Sequence, residues 1–230
     1  MASPMGEHGT FKAPRSVQSQ PKPALEKEML PPSESTKLES NGQFIEYVGS
    51  GKLKDKKVLL TGGEFGRINV LINNASAQNM CKNFADINLD EVEDIFRTNI
   101  IQMMALTKYA LPHMGRGDSI INTSSVVTFR GSGTMVDYAA TKGAIVGFTR
   151  SLAVQLIPKG IRVNAVAPGA VYSPIQVDTR DAKQMEGWGT KTALGRPGEP
   201  SEVATSFVFL ASPESALWYG QIMHCHPIGD

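Results

Sequence analysis

Tyr138 and Lys142 stand four residues apart in Tyr138-Ala-Ala-Thr-Lys142, a spacing that can do acid–base chemistry. On a helix that interval puts both side chains on one face, one turn apart. A free phenol titrates near pH ~10 and exchanges protons poorly at neutrality. An adjacent ammonium stabilises the phenolate and lowers that value. Ser125 lies thirteen residues before the tyrosine, at the end of the run Ser119-Ile-Ile-Asn-Thr-Ser-Ser125. A hydroxyl at a strand end can hold a carbonyl oxygen beside the phenol. Asn99 sits inside a helical stretch, where asparagine is mildly unfavourable because its side chain competes for backbone hydrogen bonds. Together these groups suit proton transfer to or from a carbonyl or alcohol oxygen while hydride moves at carbon.

Asn73-Asn-Ala-Ser76, Asn99, Ser125, Tyr138-x-x-x-Lys142 and Pro168-Gly169 occur in one order along the chain. In order and spacing they resemble the short-chain dehydrogenase/reductases, from about Gly51 to the C-terminus. The segment from Gly49 to Gly63, behind a Pro-rich tail, resembles the glucose/ribitol-dehydrogenase branch. The resemblance implies NAD(P)-dependent interconversion of an alcohol and a carbonyl. Tyr138 would be the acid or base and Ser125 the oxygen-positioning hydroxyl. Lys142 would be the cation that lowers the phenol pKa and a contact to the nicotinamide ribose. Asn99 would open its helix to a water that relays protons to the lysine. Asn74 would lie along the adenosine-ribose side, and the backbone at Val171 would grip the carboxamide. Ser173 stands where the family usually has threonine. Gly62 and Lys108 complete the cofactor candidates.

One part of the family pattern is missing. The first strand (Lys57-Val-Leu-Leu-Thr61) and Gly62-Gly63 are present, but Glu64-Phe-Gly-Arg-Ile-Asn-Val-Leu-Ile-Asn-Asn-Ala75 follows at once. That stretch resembles the family's fourth strand and its lead-in. The end of the glycine turn, which brings amides and a helix N-terminus to a pyrophosphate, is absent. So are two βαβ units, roughly sixty residues. The residue that selects NAD or NADP falls in that gap; NADP is placed ahead of NAD. A parallel crossover takes about a dozen residues, so Gly62 to Ile68 is expected to close a hairpin rather than a parallel pair, leaving strand one displaced, reversed or at a lost edge. Three further readings follow from the gap: a pseudoenzyme that assembles with a complete homologue, a defective gene product, and a non-redox isomerase or lyase using Tyr138.

The elements that must position these groups alternate. Asn69–Asn74 is strand-like. A helix begins at Asn88, which can cap it, and its apolar spacing runs to about Leu111. Ser119–Ser125 is a strand, Asp137–Leu156 a helix stopped by Pro158-Lys-Gly160, and Ile161–Ala167 a strand. Tyr172 to Arg196 reads as an irregular substrate lid, Glu202–Leu210 as a short helix and Ile222–His226 as a last strand. The alternation predicts an α/β fold: a Rossmann-like three-layer α/β/α domain with a mostly parallel sheet, truncated at its N-terminal side. Residues 1–50 are rich in Pro, Ser, Lys and Glu without a period, and read as an extended or disordered tail. Residues 51–230 read as one domain, incomplete between Gly63 and Glu64.

With 230 residues, 41% hydrophobic and 20% charged, the chain can bury an ordinary core. A net charge of +1 points to no nucleic-acid partner. Two cysteines suit a reducing compartment. No apolar run approaches the ~18 residues of a membrane span, and the N-terminus lacks a signal core, so a cytoplasmic protein is expected. His224 and His226 alternate on one strand face, but without a third ligand no metal is expected. The partners expected are a small alcohol or carbonyl substrate and, by resemblance, a second copy in a homodimer or homotetramer through the helices starting near Asn88 and Asp137.

Overall fold

The computed structural model describes residues 29, 36–40, 43–46, 51–54, 58–59 and 66–227. The chain divides into two compact units, one of residues 1–50, 170–205 and 226–230, the other of residues 51–169 and 206–225.

In the first unit, β1 (Lys37–Ser40) and β2 (Gln43–Glu46) pair antiparallel, with Ser40 opposite Gln43. The two residues between them are Asn41-Gly42, the pair that best supports a tight hairpin. This hairpin lies within the stretch read from sequence as an extended tail.

The second unit is built on a five-stranded parallel sheet of order β3-β4-β5-β6-β7. Its strands are β3 (Val58–Leu59), β4 (Val70–Asn73), β5 (Ser119–Thr123), β6 (Arg162–Pro168) and β7 (Ile222–Cys225). Parallel strands carry helices on their faces, so their sequences run apolar without alternation. Val163, Ala165, Val166 and Ala167 of β6, which has a neighbour on each side, are accordingly all buried.

The pairing of β3 corrects one expectation. Val58 pairs with Val70 and Leu59 with Leu71, in parallel. The link from Leu60 to Asn69 is ten residues long. It must retrace only a two-residue strand, about 7 Å, and ten extended residues reach about 33 Å. A crossover helix is therefore unnecessary, and the segment expected to close a hairpin instead serves a parallel pair at the sheet edge.

Helix α1 (Leu89–Phe96) is capped by Asn88, whose side chain accepts from the Asp90 N–H, and Asp90 and Glu91 face the positive end of its dipole. The helix expected from Asn88 to Leu111 does not run evenly. It widens into a π turn at Arg97–Ile101 before continuing as α2 (Gln102–Ala110). A short α3 (Val127–Arg130) precedes the long α4 (Val136–Leu156). A 3₁₀ turn then ends at Gly160, which has φ +70°, a conformation glycine takes without strain. Leu71, Ile120 and Val163 of the sheet pack against Ala110, Leu152, Ala153 and Leu156. Each such aliphatic side chain contributes about 1.5–3 kcal/mol on burial.

Beyond Gly169 lie α5 (Pro174–Thr179) and α6 (Ala182–Met185), two short helices where the sequence suggested irregular chain. A reciprocal cap between Asp181 and Gln184 starts α6. In this first unit Met29 is buried with Tyr172, Val177 and Met185, with Trp188 beside them. Helix α7 (Pro200–Ala211) follows.

Within the second unit, Arg162 closes the end of α7. It is buried and donates to the carbonyls of Leu210 (2.6 Å) and Ser212 (3.2 Å) and to the Ser215 hydroxyl (2.6 Å). The last carbonyls of a helix lack partners of their own. Arg162→Met is therefore expected to cost about 3 kcal/mol and to lower Tm by about 6–12 °C. An unchanged calorimetric Tm would mean that these carbonyls are satisfied without it. Among the described residues no helix is long and apolar enough to cross a membrane.

Candidate active site

Helix α4 carries two of the expected groups on its buried face. Tyr138, Thr141, Lys142, Ile145, Thr149 and Leu152 are all buried and follow helical spacing. Tyr138 packs with Ile95, Val126, Val127 and Met135. Lys142 is 2% exposed. Its Nζ lies 5.4 Å from the Tyr138 ring centroid and donates to the Thr123 carbonyl at 2.8 Å. Burial lowers the Lys142 ammonium from its ordinary 10.5 to about 7. Its charge therefore changes around neutral pH, where a lysine is normally fully protonated.

The end of β5 supplies the hydroxyls. Ser124 Oγ donates to the Lys142 carbonyl at 3.0 Å and so fastens the strand end to α4. Ser125 Oγ accepts a long bond, 3.4 Å, from the Val127 N–H. Of the two serines, Ser124 donates to the helix backbone, while Ser125 shows only this accepted bond among the described residues.

Asn99 sits at the centre of the π turn and is buried. π turns inside α-helices frequently mark functional sites. The Asn99 amide oxygen accepts from Ala77 N (2.8 Å) and Ser76 Oγ (3.1 Å). Its nitrogen donates to the Ala77 carbonyl (2.9 Å) and to Thr141 Oγ1 (3.0 Å). Thr141 in turn donates to the Tyr138 carbonyl at 2.7 Å. Sequence reasoning did not select Thr141. Its signal lay inside the Tyr-Ala-Ala-Thr-Lys run as a hydroxyl on the face shared by Tyr138 and Lys142.

The ends of β4 and β5 frame a small open cleft, lined among others by Asn73, Asn74, Asn99, Gln102 and Thr123. Asn73 is buried and donates to Thr107 Oγ1 (3.1 Å) and Asn122 Oδ1 (2.8 Å), while its own Oδ1 has no partner among the described residues. Asn74 is exposed and accepts from the Thr123 hydroxyl at 3.0 Å. Thr123 links the cleft to the Tyr138–Lys142 pair, because it lines the one and its carbonyl holds Lys142 of the other.

Lys108 is exposed, 5.4 Å over the Tyr109 ring, and does not line the cleft. Gly62 lies outside the described residues. Val171 and Ser173 belong to the first unit, where Val171 bridges to Gly198 and Ser173 precedes α5. The His224 ring meets Phe129 edge-on at 4.4 Å.

Comparison with known proteins adds a second line of information. A family profile described as "Enoyl-(Acyl carrier protein) reductase" matches residues 56–226. Glucose and ribitol dehydrogenase of Daucus carota is 46% identical over 160 residues, covering 70% of this chain and 55% of that protein. NADPH-dependent aldehyde reductase 1 of Arabidopsis thaliana, a chloroplastic protein, is 47% identical over 161 residues, 70% of this chain and 56% of that one. Among solved structures, the 3-ketoacyl-(acyl-carrier-protein) reductase of Brucella melitensis complexed with NADH superposes with a TM-score of 0.61 at 27% identity, covering 70% of this chain and 66% of that one. The chain thus spans a little over half the length of these two sequence relatives.

Proposed function

Since the chain belongs to the short-chain dehydrogenase/reductase family, on its glucose/ribitol-dehydrogenase-like side, we propose that it interconverts an alcohol and a carbonyl with NADP or NAD. One observation carries this reading. Tyr138 and Lys142 share the buried face of α4, with the lysine 5.4 Å from the phenol ring and held by the Thr123 carbonyl. Such an ammonium lowers the cost of forming a phenolate beside it.

In the reducing direction the Tyr138 phenol gives its proton to the substrate oxygen and Lys142 stabilises the phenolate left behind. In the oxidising direction the phenolate takes the alcohol proton. Ser125 holds that oxygen by hydrogen bonding, and Asn99, at the π turn, supports reprotonation from solvent. When bound, a nicotinamide supplies or accepts the hydride at the substrate carbon. The residues present fit its ribose end. The cleft opens at the carboxyl ends of β4 and β5, where parallel sheets take ligands. Its polar wall includes the unpartnered Asn73 Oδ1 and the exposed Asn74. Asn74 and Lys142 would hold the cofactor there.

The relatives' names include glucose, ribitol and aldehydes, which makes sugars, polyols and small aldehydes the substrate class to test. The name NADPH-dependent supports NADP as the cofactor, and the NADH complex of the Brucella reductase keeps NAD in the screen. Self-assembly belongs to the same reading, supported by exposed Ile101, Met104 and Tyr109 on α2 and its π turn and by Val154 on α4. So does a cytoplasmic site, supported by the unpaired Cys81 and Cys225.

The test is a fluorescence titration of the purified 230-residue chain with NADPH and NADH, followed by a screen of polyols and aldehydes. Saturable binding with a Kd in the micromolar range (about −8 kcal/mol) and turnover of one substrate are expected. A folded chain that binds neither nucleotide would overturn the oxidoreductase reading and leave an assembly subunit. Turnover without nicotinamide would move the chemistry to an isomerase or lyase.

A further inference from the structure

Thr141 is fully buried, three residues after Tyr138 and one before Lys142. A threonine hydroxyl inside a helix ordinarily donates back to a carbonyl three or four residues earlier and slightly bends the helix. Thr141 does this to Tyr138 O at 2.7 Å, and it also accepts from a group outside the helix, Asn99 Nδ2, at 3.0 Å. Asn99 is itself pinned on three sides by Ala77 N, Ala77 O and Ser76 Oγ. A continuous chain of hydrogen bonds therefore runs from the loop after β4, through the π turn, into the turn of α4 that carries both reactive side chains. Successive bonds in such a chain polarise and strengthen one another. The β-branched Thr141 side chain adds stiffness at χ1.

We propose that Thr141 is a positioning residue: held by Asn99, its hydroxyl sets the rotation of the α4 turn that presents Tyr138 and Lys142. This rests on the oxidoreductase reading only for its catalytic consequence; the positional claim concerns the protein alone. Angular play in this turn moves the phenol oxygen relative to the substrate, and misplacement of about 1 Å can cost up to about 100-fold in rate. It also changes how deeply Lys142 is buried, which a spectroscopic readout can follow without any substrate.

The experiment uses the full chain labelled with ¹³C at lysine Cε, with the Lys142 resonance assigned by its loss in Lys142→Met. The Lys142 signal is titrated with pH in the parent, in Thr141→Val, which keeps the shape and removes the hydroxyl, and in Thr141→Ser, which keeps the hydroxyl. In Thr141→Val the Lys142 midpoint is expected to rise by about half a pH unit or more toward the ordinary lysine range, as the loosened turn admits water. Thr141→Ser is expected to titrate like the parent. With an active enzyme, Thr141→Val is expected to lower kcat about tenfold at a KM within about twofold, and Thr141→Ser to restore it. If Thr141→Val does not fold, Thr141→Ala gives the same readout. A Lys142 curve in the hydroxyl-free variant that superimposes on the parent's overturns the proposal, as does an equal shift in Thr141→Ser. A parent without turnover whose Lys142 midpoint still shifts in Thr141→Val supports the positioning role and sinks the oxidoreductase reading. Normal turnover with no shift does the reverse.

Discussion

Replacing Tyr138 with phenylalanine is expected to leave a folded protein whose turnover falls by about 10²–10⁴-fold, the range for removing a positioned acid or base. The substitution isolates the phenol oxygen. The ring of Tyr138 packs with Ile95, Val126, Val127 and Met135, and phenylalanine keeps those contacts. The Lys142 ammonium, 5.4 Å from the ring centroid, keeps an aromatic face to sit over. Nucleotide binding is therefore expected to stay within about threefold of the parent, with the loss confined to kcat. Steady-state kinetics beside a binding titration separates the two. If Tyr138→Phe turned over at the parent rate, the proton at the substrate oxygen would have to come from elsewhere, and the Ser125 hydroxyl, with its single long bond to Val127 N–H, would be the next group to remove.

What the sequence made visible follows from what spacing encodes. An interval of four residues fixes a shared helix face, so Tyr138 and Lys142 could be paired before any coordinates. Alternating strands and helices gave the parallel sheet because parallel strands are buried on both faces and read as unbroken apolar runs. Spacing does not encode hydrogen bonds between elements. Asn99 could be singled out as an awkward helix residue, but the π turn around it could not, since the apolar period of Leu89 to Leu106 runs across it. Thr141 looked like filler because its role depends on Asn99, 42 positions away. The parallel β3–β4 pair was misjudged for a different reason. The rule of about a dozen residues for a crossover assumes strands of ordinary length, and a two-residue strand needs a much shorter return. The β1–β2 hairpin was missed, because its polar, Pro-rich surroundings read as an extended tail.

The second large effect concerns Lys142 and is a gain in stability with a loss of function. In the unfolded chain its ammonium titrates at the ordinary 10.5, while burial in the fold lowers it to about 7. Between those values the unfolded state holds a proton that the native state has released, so stability rises with pH across about 7 to 10.5. Below pH ~7 the full cost of a buried charge is present, at most about 5 kcal/mol. Lys142→Met keeps the length and apolar stem and abolishes that cost. It also deprives the Thr123 carbonyl of its donor at 2.8 Å, a loss of about 1 kcal/mol. The balance reverses with pH. At pH 6 the variant is expected to be more stable than the parent by about 2–3 kcal/mol, raising Tm by about 4–12 °C. Near pH 10, where the parent's lysine is neutral and hydrogen-bonded, the variant is expected to be less stable by about 1 kcal/mol. Thermal unfolding of both chains across this range reads the crossing directly, and parallel curves would show that Lys142 is not charged at a cost in the fold. The fall in catalysis with the substitution is expected to be largest at and below about pH 7, where Lys142 still carries the charge, because the cation that destabilises the folded chain is also the group proposed to stabilise a phenolate at Tyr138. Retaining such a cost in the folded state supports the proposed chemical role of Lys142 over a packing role.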